Sequence, residues 1–155
     1  MILIAMGVSG AGKSLIGEML AERLQCTFTD GDAFHSAANK EKMHKGIPLT
    51  DDDRWPWLRT IRAAIVEKQR AGETAVFTCS SLKRSYRDVL RDGDSDVCFV
   101  YLHGTMEVLK SGSVRRAISL IRRCCRASSM RSKNRATMRR LQRASNSRPN
   151  RSWIT

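Results

Sequence analysis

Along this chain, short apolar runs that predict strands alternate with longer stretches whose spacing of polar and apolar residues predicts helices. The predicted strands are residues 2–6, 26–30, 74–80 and 97–104. Such short, mostly apolar runs are typical of buried parallel strands. The stretches with helical spacing or helix start and stop signals are residues 13–25, 36–45, 51–72 and 82–93. Because strand and helix alternate four times, the pattern predicts an α/β fold with a parallel sheet flanked by helices.

The longest predicted helix has recognisable end signals. Asp51 or Asp52 is the expected N-cap, because a carboxylate there accepts hydrogen bonds from the first unpaired amides. Pro56 is expected in the first turn, where its missing N–H costs little. Gly72 is the expected stop signal.

Charge divides the chain into two parts. The net charge is +13, yet residues 1–110 contain fifteen Lys or Arg and fifteen Asp or Glu. Residues 111–155 contain twelve Arg, one Lys, nine Ser and no acidic residue. We therefore expect a globular domain over 1–110 and a basic, poorly ordered tail over 111–155.

The cysteines and the apolar content indicate the cellular compartment of the protein. Cys26, Cys79 and Cys98 lie in or beside apolar runs, and the five cysteines form no pattern with metal-ligand spacing. Buried thiols of this kind are common in reducing compartments. No run approaches the ~20 apolar residues that span a bilayer, and the N-terminus lacks a basic signal-peptide start. A cytoplasmic protein without a membrane partner is expected.

The stretch GVSGAGKS, Gly7 to Ser14, satisfies the nucleotide-loop pattern GxxxxGK[ST] between a predicted strand and a predicted helix. In such a loop, backbone amides surround the phosphates, the Lys reaches the β- and γ-phosphates, and the Ser hydroxyl ligates Mg²⁺. The sequence therefore predicts binding of ATP with Mg²⁺. The residues expected to bind ATP are Gly7, Ser9, Gly10, Ala11, Gly12, Lys13, Ser14 and Leu15.

Two carboxylates follow the second predicted strand. Asp30 and Asp32 lie two residues apart where that strand ends, so both can emerge near the phosphates. One carboxylate can support the magnesium shell while the other accepts a proton from a substrate hydroxyl. From spacing alone, a helix-capping aspartate in a polar loop explains the pattern almost as well.

Three further stretches resemble the gluconokinases. They are DGDAFHSAANKEKMHKGIPLTDDDRWPWL at 30–58, CSSLKRSYRDVLR at 79–91 and FVYLHG at 99–104. The resemblance covers about residues 2–109. It implies a P-loop nucleoside-monophosphate-kinase-like fold with strand order 2-3-1-4, and transfer of the ATP γ-phosphate to the 6-hydroxyl of D-gluconate. Dimers are common in that family, so a homodimer is one expectation.

The resemblance also implies roles for individual residues. Asp32 is the expected catalytic residue that orients and deprotonates the sugar hydroxyl, together with Lys13, and Asp30 lies nearer the magnesium. The expected substrate-binding residues are Asp32, His35, Arg54 and Lys83. Arg is a natural bidentate partner for the gluconate carboxylate.

Each of these assignments has a structural alternative. Arg54 can pair with Asp51 or Asp53 on the surface, Lys83 can be a solvated residue of a first helical turn, and His35 can cap a turn. The two tryptophans Trp55 and Trp57 are expected to pack in the core rather than to bind sugar.

Two departures from the family pattern bear on activity. Leu15 replaces a usual Thr and offers no hydroxyl to the α-phosphate. From Ser111 onward the family's lid and last strand are unrecognisable, which suggests a frameshift or an altered splice and impaired turnover. A nucleotide-binding remnant is therefore one alternative. Another alternative is a basic protein that binds nucleic acid through its tail. Trp153 is the one aromatic residue of that tail, so stacking on bases would be nearly absent.

Overall fold

The structure is a computed structural model, and it describes residues 1–102. The expected tail 111–155 lies outside the described residues, and so do the expected loss of the lid and last strand and the nucleic-acid alternative. The described elements, in chain order, are β1 (Ile2–Met6), α1 (Lys13–Leu24), β2 (Thr27–Asp30), a 3-10 turn (Gly31–Phe34), α2 (Ala37–His44), α3 (Asp51–Arg70), β3 (Ala75–Cys79), α4 (Arg84–Arg91) and β4 (Val97–Tyr101).

The four strands form one parallel sheet in the order β2-β3-β1-β4. This confirms the α/β fold and the strand order that the family resemblance implied. All five residues of β1 and all five of β3 are buried, as their apolar or mostly apolar sequences predict. The carboxyl ends of the strands share one edge, and the phosphate loop, the 3-10 turn and the start of α4 all follow strands at that edge.

Apolar side chains fill both faces of the sheet. On one face, Leu3 and Val76 pack with Ile16, Leu20 and Leu24 of α1. On the other face the buried side chains come from α3, α4 and the strands: Ile2, Ile4, Trp57, Leu58, Ile61, Ile65, Phe77 and Leu90. The sheet is therefore covered on both sides by amphipathic helices, which fixes the positions of the loops at its carboxyl edge.

The start of α3 differs from the prediction. The N-cap is Thr50, whose hydroxyl accepts from the Asp53 amide at 3.3 Å, while the Asp53 carboxylate accepts from the Thr50 amide at 2.9 Å. A hydroxyl and a carboxylate three residues apart satisfy two helix-end amides at once, so this capping box replaces the single cap expected at Asp51 or Asp52. Pro56 consequently lies in the second turn rather than the first.

The thiols lie as predicted from the apolar runs. Cys79 and Cys98 are buried, and Cys26 is half-buried. Burial raises the pKa of the Cys79 thiol to about 11. Within residues 1–102, no helix combines the length and apolar character needed to cross a bilayer.

Gly31, the first residue after β2, is required by close packing. A Cβ at this position would lie 2.1 Å from the Thr78 carbonyl oxygen, a backbone atom that cannot move aside. The chain after β2 therefore lies directly against β3.

We predict that Gly31→Ala lowers the free energy of unfolding by about 3 kcal/mol or more, because the new methyl group forces β2 and β3 apart. Urea unfolding measures the loss. Gly72→Ala is the control, since Gly72 faces open space and only its φ of 69° is unfavourable for alanine, which costs about 1 kcal/mol. Equal losses in the two variants would contradict the close packing described.

Candidate active site

The loop between β1 and α1 has the geometry of a phosphate cradle. Gly10 and Gly12 have φ angles of 77° and 72°, a left-handed conformation that residues with a Cβ rarely adopt. Gly12 N-caps α1, so the first unpaired amides of the helix face the loop. Lys13 lies back across the loop, and its Nζ donates to the Val8 carbonyl at 3.0 Å. The loop thus presents amides, an ammonium group and a helix N-terminus to a phosphate.

The remaining loop residues surround this cradle. Gly7 approaches the backbone of Leu102 closely, and a Cβ there would lie 2.9 Å from the Leu102 carbonyl oxygen. Ala11 is buried, Ser9 is exposed, and Leu15 is exposed on the first turn of α1. The predicted ATP-binding residues therefore lie along the loop after β1 and the first turn of α1.

The Asp30 carboxylate is the centre of a hydrogen-bond network at the end of β2. Its Oδ1 accepts from the Thr78 hydroxyl at 2.8 Å and from the Asp32 amide at 3.0 Å. Its Oδ2 accepts from the Ser14 hydroxyl at 3.2 Å. The Thr78 hydroxyl in turn accepts from the Gly31 amide at 3.2 Å. One carboxylate thus joins the phosphate loop, β3 and the segment that carries Asp32.

This network keeps Asp30 ionised. Partial burial raises the pKa of Asp30, but the hydrogen bonds from Asp32, Thr78 and Ser14 and the nearby Lys13 charge outweigh it, so the pKa is lowered. A hydroxyl beside a carboxylate is a set of hard oxygen donors that suits Mg²⁺. Within residues 1–102, no three His, Cys, Asp or Glu side chains converge on a point. Mg²⁺ bound with a nucleotide takes most of its ligands from phosphate and water, so Ser14 and Asp30 fit that role.

Asp32 and His35 face each other across the 3-10 turn. The Asp32 side chain is 64% exposed, and its Oδ1 lies 4.0 Å from Nε2 of the buried His35. The imidazole stacks on Trp57 with a centroid distance of 4.1 Å. The Trp57 indole N–H donates to the Gly31 carbonyl at 2.7 Å. Trp57 is therefore a core residue, as predicted, and it also supports the His35 ring.

The two predicted substrate cations lie beside the same aromatic ring, that of Tyr86. Arg54 lies over Tyr86 at 5.9 Å from the ring centroid, and Lys83 lies 5.5 Å from the same centroid. Lys83 donates to both carboxylate oxygens of Asp51, at 2.6 and 2.8 Å. The Tyr86 hydroxyl donates to Asp51 as well, at 2.5 Å. The hydrogen bonds from Lys83 and Tyr86 lower the pKa of Asp51, and the hydrogen bond with Asp51 raises the pKa of Lys83.

These contacts decide between some of the alternatives left open by the sequence. Asp51 pairs with Lys83, and Asp53 pairs with Lys42 at 2.7 Å. Arg54 instead stacks on Tyr86 and donates from Nε to the Leu49 carbonyl at 3.3 Å. Lys83 is the N-cap residue of α4 and is held by Asp51 rather than solvated alone.

The His35 amide closes the 3-10 turn on the Asp32 carbonyl at 3.2 Å, so His35 does cap a turn. Its ring nevertheless points to Asp32.

Sequence reasoning missed several residues of this site. Thr78 lies inside a buried strand, where nothing in the pattern marks one hydroxyl as functional. Asn39 lies on a polar helix, and Asp51 and Tyr86 lie in segments whose pairing depends on the tertiary fold.

A phosphate cradle at the carboxyl edge of a parallel sheet, with an ionised carboxylate beside the loop serine, defines a P-loop kinase. The shikimate kinase family model matches residues 9–151. The chain is 45% identical over 126 residues to a gluconokinase from Arabidopsis thaliana, covering 75% of this chain and 67% of that protein. It is 44% identical over 110 residues to the thermoresistant gluconokinase of Escherichia coli, covering 71% of this chain and 63% of that protein.

A solved structure agrees with these matches. A gluconokinase from Sinorhizobium meliloti is 37% identical, with a TM-score of 0.59 and coverage of 92% of this chain and 90% of that one. This chain therefore belongs to the gluconokinase family, within the P-loop kinases that the shikimate kinase model describes. It spans about two thirds of the length of the two curated relatives.

We predict that Thr78→Val raises the pKa of Asp30, because valine has the same shape but cannot donate to the carboxylate. A carboxyl-carbon NMR titration of the two proteins measures the change. Thr78→Ser, which keeps the hydroxyl, is the control and should leave the pKa near its wild-type value. An unchanged pKa in Thr78→Val would show that Thr78 does not hold Asp30 ionised.

Proposed function

We propose that this chain transfers the γ-phosphate of ATP to the 6-hydroxyl of D-gluconate. The observation that carries the proposal is the pair of hydrogen bonds that the Asp30 carboxylate accepts, one from the Ser14 hydroxyl and one from the Asp32 amide. These two bonds link the phosphate loop to the residue that carries an exposed carboxylate, whose Oδ1 lies 4.0 Å from Nε2 of His35. The similarity to gluconokinases of Arabidopsis thaliana and Escherichia coli supports gluconate as the acceptor.

The phosphate end of the site would work by positioning and charge. Lys13, which lies across the loop, would turn to the β- and γ-phosphates. Ser14 and Asp30 would hold Mg²⁺, which neutralises charge on the phosphates when it is bound. Leu15 contributes no hydroxyl there, which weakens ATP binding by about one hydrogen bond, ~1 kcal/mol.

The acceptor end of the site would use one base and two cations. Asp32 is exposed and accepts a proton from the sugar hydroxyl as that oxygen attacks the γ-phosphorus. Arg54 is the better partner for the gluconate carboxylate, since a guanidinium offers two parallel N–H groups. Lys83 is already held by Asp51, so the substrate would compete with that carboxylate for it.

Turnover also needs charge neutralisation from a second side of the γ-phosphate. In P-loop kinases an arginine supplies it, and such arginines are worth ~10³–10⁵ in rate. The gluconokinase lid motif is not recognisable beyond Ser111, although the shikimate kinase family match extends to residue 151. We propose that ATP binding is retained while the rate is lowered. A remnant that binds ATP without turnover is the alternative. The domain limits 1–110 and 111–155, the homodimer and the cytoplasmic location remain predictions.

A coupled assay of ADP formation tests the function directly. We expect ADP formation that depends on both D-gluconate and Mg²⁺, with kcat at least about 10³-fold below that of the Escherichia coli thermoresistant enzyme. ATP binding without gluconate-dependent turnover would favour the remnant. A kcat within tenfold of that enzyme would show that residues beyond 102 supply the missing charge.

Within that activity, we predict that Asp32→Asn lowers kcat by about 10²-fold or more, since an amide cannot accept the hydroxyl proton. Steady-state kinetics at saturating ATP measures the effect. Asp52→Asn, an exposed carboxylate in the first turn of α3, is the matched control and should retain activity. Wild-type turnover in Asp32→Asn would remove Asp32 from its assigned role.

A further inference from the structure

Asn39 and His35 form a buried polar pair behind the proposed base. Both residues are less than 10% exposed. The side-chain amide nitrogen of Asn39 donates to the Asp53 carbonyl at 2.8 Å and lies 3.4 Å from Nδ1 of His35.

The Asp53 carbonyl fixes the orientation of the Asn39 amide. A carbonyl oxygen only accepts, so the atom of Asn39 that faces it must be the NH₂ group. With the amide reversed, two oxygens would lie 2.8 Å apart. The same NH₂ group faces His35, so Nδ1 of the imidazole must be the acceptor. The proton of the neutral ring therefore resides on Nε2, the nitrogen that faces Asp32.

The surroundings also favour the neutral ring. Burial lowers the pKa of His35; Asp32 opposes this, and the positive charges of Arg54 and Lys40 add to it, with a net lowering. His35 is thus an uncharged Nε2–H donor close to the proposed base.

We propose that Asn39 is a positioning residue that sets the tautomer of His35, so that Nε2–H donates to the same substrate hydroxyl whose proton Asp32 accepts. Nε2 and Oδ1 of Asp32 are 4.0 Å apart, too far for a direct hydrogen bond but close enough for one hydroxyl oxygen to contact both. In the opposite tautomer, Nε2 would be an acceptor and would compete with Asp32 for that proton. The inference rests on the proposed function only for the identity of the hydroxyl.

The tautomer is measured by nitrogen NMR of the imidazole in the full chain without substrate. The wild-type protein should show a protonated Nε2 and an unprotonated Nδ1. In Asn39→Ala the preference should be lost, and kcat for gluconate should fall by about 10–10²-fold with a smaller change in KM.

Ser36→Ala is the control for a structural effect. The Ser36 hydroxyl N-caps α2 by accepting from the backbone amide of Asn39 at 3.2 Å. Ser36→Ala therefore disturbs the same helix without removing a contact of the imidazole. It should keep the wild-type tautomer and the larger part of kcat.

The outcomes separate the two proposals. A wild-type ring protonated on Nδ1, or an Asn39→Ala variant with the wild-type tautomer and a reduced kcat, would overturn the role of Asn39. The predicted tautomers without gluconate phosphorylation in any variant would support control of the tautomer by Asn39 and would overturn the proposed function. Normal phosphorylation with the wrong tautomer would overturn the role of Asn39 alone.

Discussion

The hydrogen bond from the Thr78 hydroxyl to the Asp30 carboxylate is the contact on which the site depends. It joins the end of β2 to β3 at 2.8 Å, and the same hydroxyl accepts from the Gly31 amide. Because Gly31 lacks a Cβ, the chain after β2 packs directly against the β3 backbone. The turn that carries Asp32 and His35 is therefore fixed to the sheet as well as closed by its own hydrogen bonds.

Asp30 also links two parts of the site that are distant in sequence. Its other oxygen accepts from Ser14 in the first turn of α1, while Trp57 of α3 donates to the Gly31 carbonyl and stacks on His35. The phosphate loop and the turn that carries Asp32 thus share one carboxylate, that of Asp30. A kinase needs such a rigid connection, because the hydroxyl and the γ-phosphate must meet in a narrow range of geometry.

Local patterns were sufficient for the strands and for the phosphate loop, whereas the strand order came from the family resemblance. Mostly apolar runs identify β1 and β3, and glycine spacing identifies the loop before Lys13. The cap of α3 was missed because Thr50 and Asp53 act as a pair, and single-residue preferences favoured the neighbouring aspartates. Thr78 and Asn39 were missed because their roles come from partners 48 and 4 residues away that only the fold or a helix brings into contact.

The measurement that tests this account most directly is calorimetric titration of Asp30→Asn with Mg²⁺–ATP and, separately, with D-gluconate. If one carboxylate holds both halves of the site, both affinities should fall by about tenfold or more, the loss expected for a hydrogen bond to a charged group. Asp52→Asn should leave both affinities unchanged. A loss of Mg²⁺–ATP affinity alone, with gluconate bound as tightly as by the wild-type chain, would contradict the shared role of Asp30.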